Sequence, residues 1–141
     1  MDALPSKKDY EKLAEFRYAL RRFLRFSETA ATELGLPPHQ HQALLAIEGF
    51  PGRDSVNITE LTERLQLEHH SAVGLVNRLA ERNLVIREPS TEDKRQVFVR
   101  LTEEGKQMLG KLSAAHQSEL NRLGPEISRA LKAIVENNPL V

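Results

Sequence analysis

The chain has 141 residues, 40% of them hydrophobic and 28% charged, which suits one domain with a proper core or a compact domain with helical extensions. Its formal net charge is zero, and the absence of cysteine excludes disulfides, thiolate zinc sites and thiol redox chemistry. No run approaches the roughly 18 apolar residues of a membrane-spanning helix, and the first residues lack a secretory signal, so we expect a cytoplasmic protein that does not contact a membrane.

Two helical patterns occupy the N-terminal part of the sequence. Apolar residues recur at helical spacing over residues 8–34, and Gly35 is the expected end of that helix because glycine accepts a left-handed conformation. Pro37 and Pro38 then force an extended step and open a second helix, which ends near Gly49. The apolar stripe predicted for this second helix comprises Leu44, Leu45 and Ile47.

A helix-turn-helix pattern follows a loop and a very short strand at Val56. Asn57 and Glu60 have the spacing of a capping box and begin a short helix. Its inward residues are Ile58, Leu61 and Leu65. After a turn over residues 66–68, a second helix carries one apolar stripe, which comprises Ala72, Leu75, Val76 and Leu79. The opposite face of this helix presents His70, Val73, Gly74, Asn77 and Glu81, flanked by Ser71 and Arg78.

Two strands and a long helix complete the pattern. The strands are predicted over residues 84–87 and 96–101, the second with alternating apolar residues, and the polar loop EPSTEDKR joins them. Thr102 is the expected N-cap of a helix that runs to about Leu123. Gly124 and Pro125 are predicted to break that helix before a last one begins.

These elements predict a mostly α protein of the α+β class, a winged helix-turn-helix with long N- and C-terminal dimerisation helices. We expect residues 1–35 to form the N-terminal dimerisation helix, residues 36–101 the winged DNA-binding module, and residues 102–141 the C-terminal dimerisation helices. The terminal helices of a single chain would leave apolar stripes partly uncovered, whereas a two-fold dimer with interlocked ends would bury them. The alternative is that they pack only on their own module.

The helix-turn-helix and hairpin indicate binding to duplex DNA, because this order places one helix in the major groove and a basic loop beside it. Residues 69–100 contain six basic and four acidic residues, a modest excess of positive charge, so we expect strongly salt-dependent binding with weak non-specific affinity. Asn77 suits a bidentate contact to adenine, and Val73 suits a thymine methyl. The candidate DNA-binding residues of the helix are His69, His70, Ser71, Val73, Asn77 and Arg78, of which the histidines, Ser71 and Arg78 could equally contact phosphate.

The sequence LVNRLAERNLVIREPSTEDKRQVFVRLTEEG resembles the recognition helix and wing of the MarR family of bacterial transcriptional regulators. The sequence LGLPPHQHQALLAI is similar to the start of that family's second helix. The resemblance implies a homodimer joined through its terminal helices and bound to a pseudo-palindromic operator. It further implies a repressor that a small molecule releases from DNA.

The resemblance also implies roles for the wing. Lys94 and Arg95 are suited to the narrow minor groove, and Asp93 would hold Arg95 in a fixed pose instead of touching DNA. The alternative is a solvated hairpin with incidental charges. The family often takes up aromatic or anionic ligands in the crevice beside its dimer helices, and the candidate pocket residues here are Tyr18, Arg21, Arg22 and His41. Arginines on the first helix can equally form a solvated face.

Three positions depart from the family pattern. Asn83 stands where many members have glycine, but asparagine tolerates the left-handed conformation that a helix end requires. Gly74 occupies a position of the recognition helix that is often basic, and Glu68 stands where a small hydroxyl residue often caps that helix. We therefore expect the family's fold with an operator sequence of its own.

Other classes of function find less support in the sequence. A winged-helix module that binds a protein instead of an operator is the alternative favoured by the zero net charge, Glu68 and Glu81. No nucleophile with its base, no phosphate-binding glycine loop and no useful carboxylate pair indicates an enzyme. Neither His39 and His41 nor His69 and His70 have the spacing of a helical zinc pair, so we expect no metal site and no cofactor.

Overall fold

A computed structural model describes residues 4–93 and 95–136. Its elements in chain order are α1 (Lys7–Glu33), α2 (Pro38–Glu48), β1 (Ser55–Val56), α3 (Ile58–Leu65), α4 (His69–Glu81), β2 (Val85–Pro89), β3 (Val97–Leu101) and α5 (Glu103–Glu136). The mostly α winged helix predicted from the sequence is confirmed. Within these described residues, no helix combines the length and apolar character needed to traverse a bilayer.

The chain forms two compact units. One comprises the described residues up to Ala30 together with those from Ala114 onward, and the other runs from Ala31 to Ser113. The helices α1 and α5 therefore contribute to both units. The second unit contains the helix-turn-helix and the whole sheet.

Three antiparallel strands in the order β1-β3-β2 close one side of the second unit. Val56 lies opposite Val99 and Val85 lies opposite Leu101, so one face of the sheet presents buried aliphatic residues to the helices. Pro89 at the end of β2 breaks no ladder because β2 is an edge strand. The fully buried side chains of this core include Leu44, Ile47, Leu61, Val76 and Leu79.

Caps predicted from the sequence fix the ends of the helices. The Asn57 side chain accepts a hydrogen bond from the Glu60 N–H at 2.8 Å, and the Glu60 carboxylate accepts one from the Asn57 N–H at 3.0 Å, so the capping box of α3 is confirmed. Thr102 Oγ1 accepts from the Gly105 N–H at 3.0 Å at the start of α5. Gly35 and Asn83 adopt positive φ angles of 75° and 59° after α1 and α4, as expected for helix ends.

The apolar stripe of α2 differs from the prediction at one residue. Leu45 is 51% exposed, whereas Leu44 and Ile47 are fully buried as expected. The buried positions of α2 are Gln40, His41, Ala43, Leu44 and Ile47. Residues 40, 43, 44 and 47 follow the i, i+3, i+4, i+7 spacing of one helix face, and residue 45 lies about 100° away from residue 44 on the helix surface.

The predicted break at Gly124 and Pro125 is wrong, since α5 continues through both residues to Glu136. A proline inside a helix removes one hydrogen bond and costs about 3 kcal/mol. Here Leu123 and Ala130 are buried and Ile127 is partly buried, so the apolar stripe stays in phase across the proline. Contacts with α1 also flank this point: Arg22 pairs with Glu126 at 2.8 Å, and Ser27 bonds His116 at 2.7 Å.

Candidate nucleic-acid interface

The orientation of α4 is set by its buried side. Ala72, Leu75, Val76 and Leu79 lie in the core, as predicted, and anchor the helix against α3 and β2. The opposite side faces outward: His70, Asn77, Arg78 and Glu81 are exposed, while Ser71, Val73 and Gly74 are half-buried. His69 is also exposed, in the first turn. The predicted residues of the recognition helix therefore share the accessible part of α4.

The turn between α3 and α4 leaves the start of α4 without a side-chain cap. Gln66 takes a left-handed conformation with φ 53°, and its amide donates to the Glu63 carbonyl at 2.7 Å. Glu68 occupies the N-cap of α4 in an extended conformation, but its carboxylate makes no cap hydrogen bond. The first N–H groups of α4 thus have no side-chain acceptor at Glu68, and such groups are suited to phosphate.

A contact between β2 and α4 was not predicted. An Nη2 group of Arg87 donates a hydrogen bond to Oδ1 of Asn77. Arg87 lies opposite the buried Val99, so its side chain starts on the sheet face that turns toward α4. The sequence contains a signal for this contact. Val85 and Arg87 are two residues apart on a strand, so they share one face of the sheet, and an apolar residue such as Val85 is expected on the face toward the helices.

Arg78 lies back along α4 toward Gly74. A Cβ atom built at Gly74 would be 3.3 Å from Nη1 of Arg78. Long side chains on helices lean toward the N-terminus over the preceding turn, and the missing side chain at Gly74 leaves room for the guanidinium there. Arg78, one turn further along the helix, therefore places a positive charge near position 74, where the family often has a basic residue.

The wing holds Arg95 by a carboxylate, as expected from the resemblance. Asp93 Oδ1 accepts a hydrogen bond from the Arg95 N–H at 3.0 Å and another from Nε at 3.4 Å. The side chain of Arg95 is nevertheless 93% exposed, so its guanidinium points into solvent. Ser90 closes the loop from inside, since its Oγ accepts from the Asp93 N–H at 3.2 Å and its N–H donates to the Gln96 carbonyl at 2.9 Å. The predicted Lys94 lies outside the described residues.

Two other arginines, Arg100 and Arg53, form ion pairs with glutamates, so their positive charge is partly neutralised. Arg100 pairs with Glu88 across β3 and β2, and Arg53 pairs with Glu60. Partial burial acts to raise the pKa of Glu60, but hydrogen bonds from the Arg53 side chain and the Asn57 N–H outweigh burial and hold that pKa below its ordinary value. Arg53 also stacks over the Phe50 ring at 4.5 Å.

The candidate ligand residues fall in both units. Tyr18, Arg21 and Arg22 belong to the first, where the Arg22 guanidinium lies 5.6 Å from the centre of the Tyr18 ring and pairs with Glu126. His41 is buried in the second unit. A ligand pocket built from these four residues stays a prediction. Among residues 4–93 and 95–136, no group of three or more metal-binding side chains is placed to hold an ion.

The chain resembles known proteins in sequence and in fold. Residues 34–96 match a family model described as MarR family. The HTH-type transcriptional regulator SarZ of Staphylococcus epidermidis is 35% identical over 89 residues, which cover 63% of this chain and 58% of that protein. This chain spans about 60% of the length of the curated relatives it matches.

Solved structures share the fold at lower sequence identity. AbsC from Streptomyces coelicolor, a MarR family transcriptional regulator, aligns with a TM-score of 0.75 at 21% identity over 96% of this chain and 97% of that one. A mutant MarR from E. coli complexed with operator DNA aligns with a TM-score of 0.66 at 20% identity, over 87% and 89% of the two chains. The family match spans the helix-turn-helix, β2 and the loop of the wing, and the solved structures share the fold over almost the whole chain, so the resemblance to the MarR family of transcriptional regulators holds in both comparisons, and these relatives are transcriptional regulators, not enzymes.

Proposed function

We propose that this protein is a repressor that binds a pseudo-palindromic operator as a homodimer, with α4 in the major groove and the wing in the adjacent minor groove. The observation that carries the proposal is the pairing of an accessible α4 face with a wing whose Arg95 is 93% exposed and held at its base by Asp93. A guanidinium presented in this way suits the negative potential of a narrow minor groove. Two copies related by two-fold symmetry would engage half-sites about one DNA turn apart.

The operator can be found by selecting bound fragments from random duplexes and measuring affinity at several salt concentrations. We expect a palindromic consensus and a steep loss of affinity with salt. Arg95→Ala should weaken binding to that consensus by roughly 1–3 kcal/mol and leave the oligomeric state unchanged. A protein-interaction module would select no consensus and show no salt-dependent shift of duplex DNA. Parent-like binding by Arg95→Ala would contradict the role given to the wing.

The homodimer is supported by large apolar side chains that a single copy leaves in solvent in the first unit. These exposed residues include Tyr10, Leu13, Leu120, Leu131 and Val135. Replacing Leu13 and Leu131 by glutamate should shift the protein toward monomers in sedimentation experiments, because charges would enter the proposed interface. Leu45→Glu is the matched control, since Leu45 is equally exposed but lies in the other unit. A double variant that sediments like the control would refute the interlocked ends.

Release by a small aromatic or anionic ligand is the second part of the proposal. The stacking of Arg22 on Tyr18 supplies an aromatic surface beside a cation, the pair of groups that an aromatic acid requires. Screening aromatic acids for dissociation of the operator complex tests this. If an acid dissociates the parent from the operator but leaves Arg22→Ala bound, the result supports the site. Equal dissociation of both proteins excludes Arg22 from it.

A further inference from the structure

The accessible middle of α4, defined here as Gly74, Asn77 and Arg78, presents hydrogen-bond donors, and its side-chain acceptor is bonded to Arg87. Arg78 is exposed, and its guanidinium, which only donates, lies over the space left by Gly74. Asn77 carries both a donor and an acceptor, so the direction of its amide decides what it can recognise.

The direction of the Asn77 amide is set by Arg87. Because a guanidinium has no acceptor, the group that receives its hydrogen bond must be Oδ1, and the NH₂ group of Asn77 takes the other direction. A bidentate contact to adenine needs that oxygen to accept from the adenine amino group while the NH₂ donates to N7. Because Oδ1 is engaged by Arg87, the amide would have to turn or share that oxygen to make this contact with adenine, so its NH₂ donor is the group left for a base.

We propose that the middle of α4 recognises guanine through donors alone, with Arg78 as the principal specificity-determining residue and Arg87 as a positioning residue that orients Asn77. Guanine is the base that offers two acceptors, N7 and O6, side by side in the major groove, and a guanidinium matches this pair with two parallel hydrogen bonds. Adenine and cytosine present amino donors there, and the Asn77 oxygen, the side-chain acceptor of this surface, is already bonded to Arg87. The inference rests on the proposed operator binding.

Acceptors elsewhere on α4 do not cancel this preference. Glu81 is one turn further toward the C-terminal end, whereas the Arg78 guanidinium lies back over Gly74, toward the N-terminal part through which the recognition helix of a helix-turn-helix mainly contacts base edges. His70 lies one turn before Gly74, where its ring can act as donor or acceptor according to tautomer. The guanine preference is therefore expected at the base pairs beneath Gly74 and Arg78.

The test combines the selected duplex with a modified base. After selection from random duplexes, the enriched guanine of each half-site is replaced by 7-deazaguanine, which keeps Watson–Crick pairing and removes the N7 acceptor. We expect the parent to lose about tenfold or more in affinity on this replacement. Arg78→Ala should bind the unmodified site more weakly and show almost no further loss with 7-deazaguanine. Arg78→Lys keeps the charge without the planar fork and should bind the unmodified site more weakly than the parent.

Arg82→Ala is the matched control, because it removes the same charge from the end of the same helix, where Arg82 donates to Oε1 of Gln40 at 3.2 Å. It should retain the full 7-deazaguanine penalty. Arg87→Ala should raise the frequency of adenine in a repeated selection, since the Asn77 oxygen is then released.

The outcomes separate the two proposals. A parent that selects no duplex refutes operator binding itself. A parent that selects a consensus without guanine, or an Arg78→Ala protein that keeps the full penalty, overturns the guanine inference and leaves operator binding standing. Unchanged adenine frequency with Arg87→Ala overturns the positioning role.

Discussion

The Oδ1 atom of Asp93 accepts two hydrogen bonds from Arg95, one from the backbone N–H at 3.0 Å and one from Nε at 3.4 Å. The carboxylate is half-buried in the loop, whereas the arginine side chain is almost entirely in solvent. An exposed pair of this kind contributes only about 0–1 kcal/mol to folding. Its effect is to restrict where the guanidinium can be, which lowers the entropy that Arg95 loses when it enters a groove.

Asp93→Ala should therefore weaken operator binding while the free energy of unfolding changes by less than about 1 kcal/mol. The loss of a negative charge would by itself strengthen attraction to phosphate, so a decrease in affinity identifies the restraint on Arg95. Binding isotherms at several salt concentrations measure the effect. Glu92→Ala removes the same charge one residue earlier and should bind as tightly as the parent or more tightly. Equal affinities of the two variants would rule out the restraint.

Gly74→Ala separates stability from recognition. Alanine in place of glycine within a helix should stabilise the protein by about 0.5–1 kcal/mol. Its Cβ would lie 3.3 Å from Nη1 of Arg78, so the guanidinium must shift and discrimination between guanine and adenine should fall. Chemical unfolding and competition binding measure the two effects. Gly110→Ala, at a glycine of α5 with nothing within 4 Å, should give the stability gain alone. Undiminished discrimination in Gly74→Ala would contradict the position assigned to Arg78.

Gly105→Ala should be strongly destabilising. A Cβ at this position would lie 2.2 Å from the carbonyl oxygen of Leu84, which also accepts a hydrogen bond from the Thr102 N–H at 3.0 Å. Because backbone atoms cannot move aside cheaply, we expect a loss of at least about 1–3 kcal/mol, as for other overpacked sites. The midpoint of urea unfolding, compared with that of Gly110→Ala in the same helix, provides the measurement. A midpoint at or above the parent's would show that α5 does not approach Leu84 so closely.

The capping carboxylate of α3 makes stability depend on acid pH. Burial favours the protonated form of Glu60, but hydrogen bonds from Arg53 and the Asn57 N–H lower its pKa below the ordinary 4.5. A lowered pKa contributes stability that is present above the ordinary value and lost as the pH falls through the folded-state value. Glu60→Gln should thus be less stable than the parent at neutral pH, and the difference should shrink below about pH 4.

Unfolding free energies of both proteins across this range test the contribution of Glu60. Glu63→Gln is the control, because it removes a negative charge from an exposed position of the same helix. A difference between Glu60→Gln and the parent that stays constant with pH would show that the ionised carboxylate adds nothing to the cap.

Local patterns in the sequence were sufficient to predict several elements. The capping box of Asn57 and Glu60, the left-handed Asn83 and the apolar stripe of α4 all depend on residues within about two helical turns of one another, so periodicity and cap chemistry suffice to predict them. The contact of Asp93 with Arg95 was expected from the family resemblance of the wing, and it too joins neighbours in one loop.

Features that depend on contacts between residues far apart in the chain could not be predicted from local patterns. The helix α5 continues through Pro125 and contacts α1 beside it. The residues next to Pro125 in the sequence carry no signal for that contact. Which side chains of α2 are buried depends on the face that packs against the rest of the module, and Leu45 does not lie on that face. The orientation of Asn77 is fixed by Arg87 from another element, because a long side chain is directed by the surface that folding brings beside it.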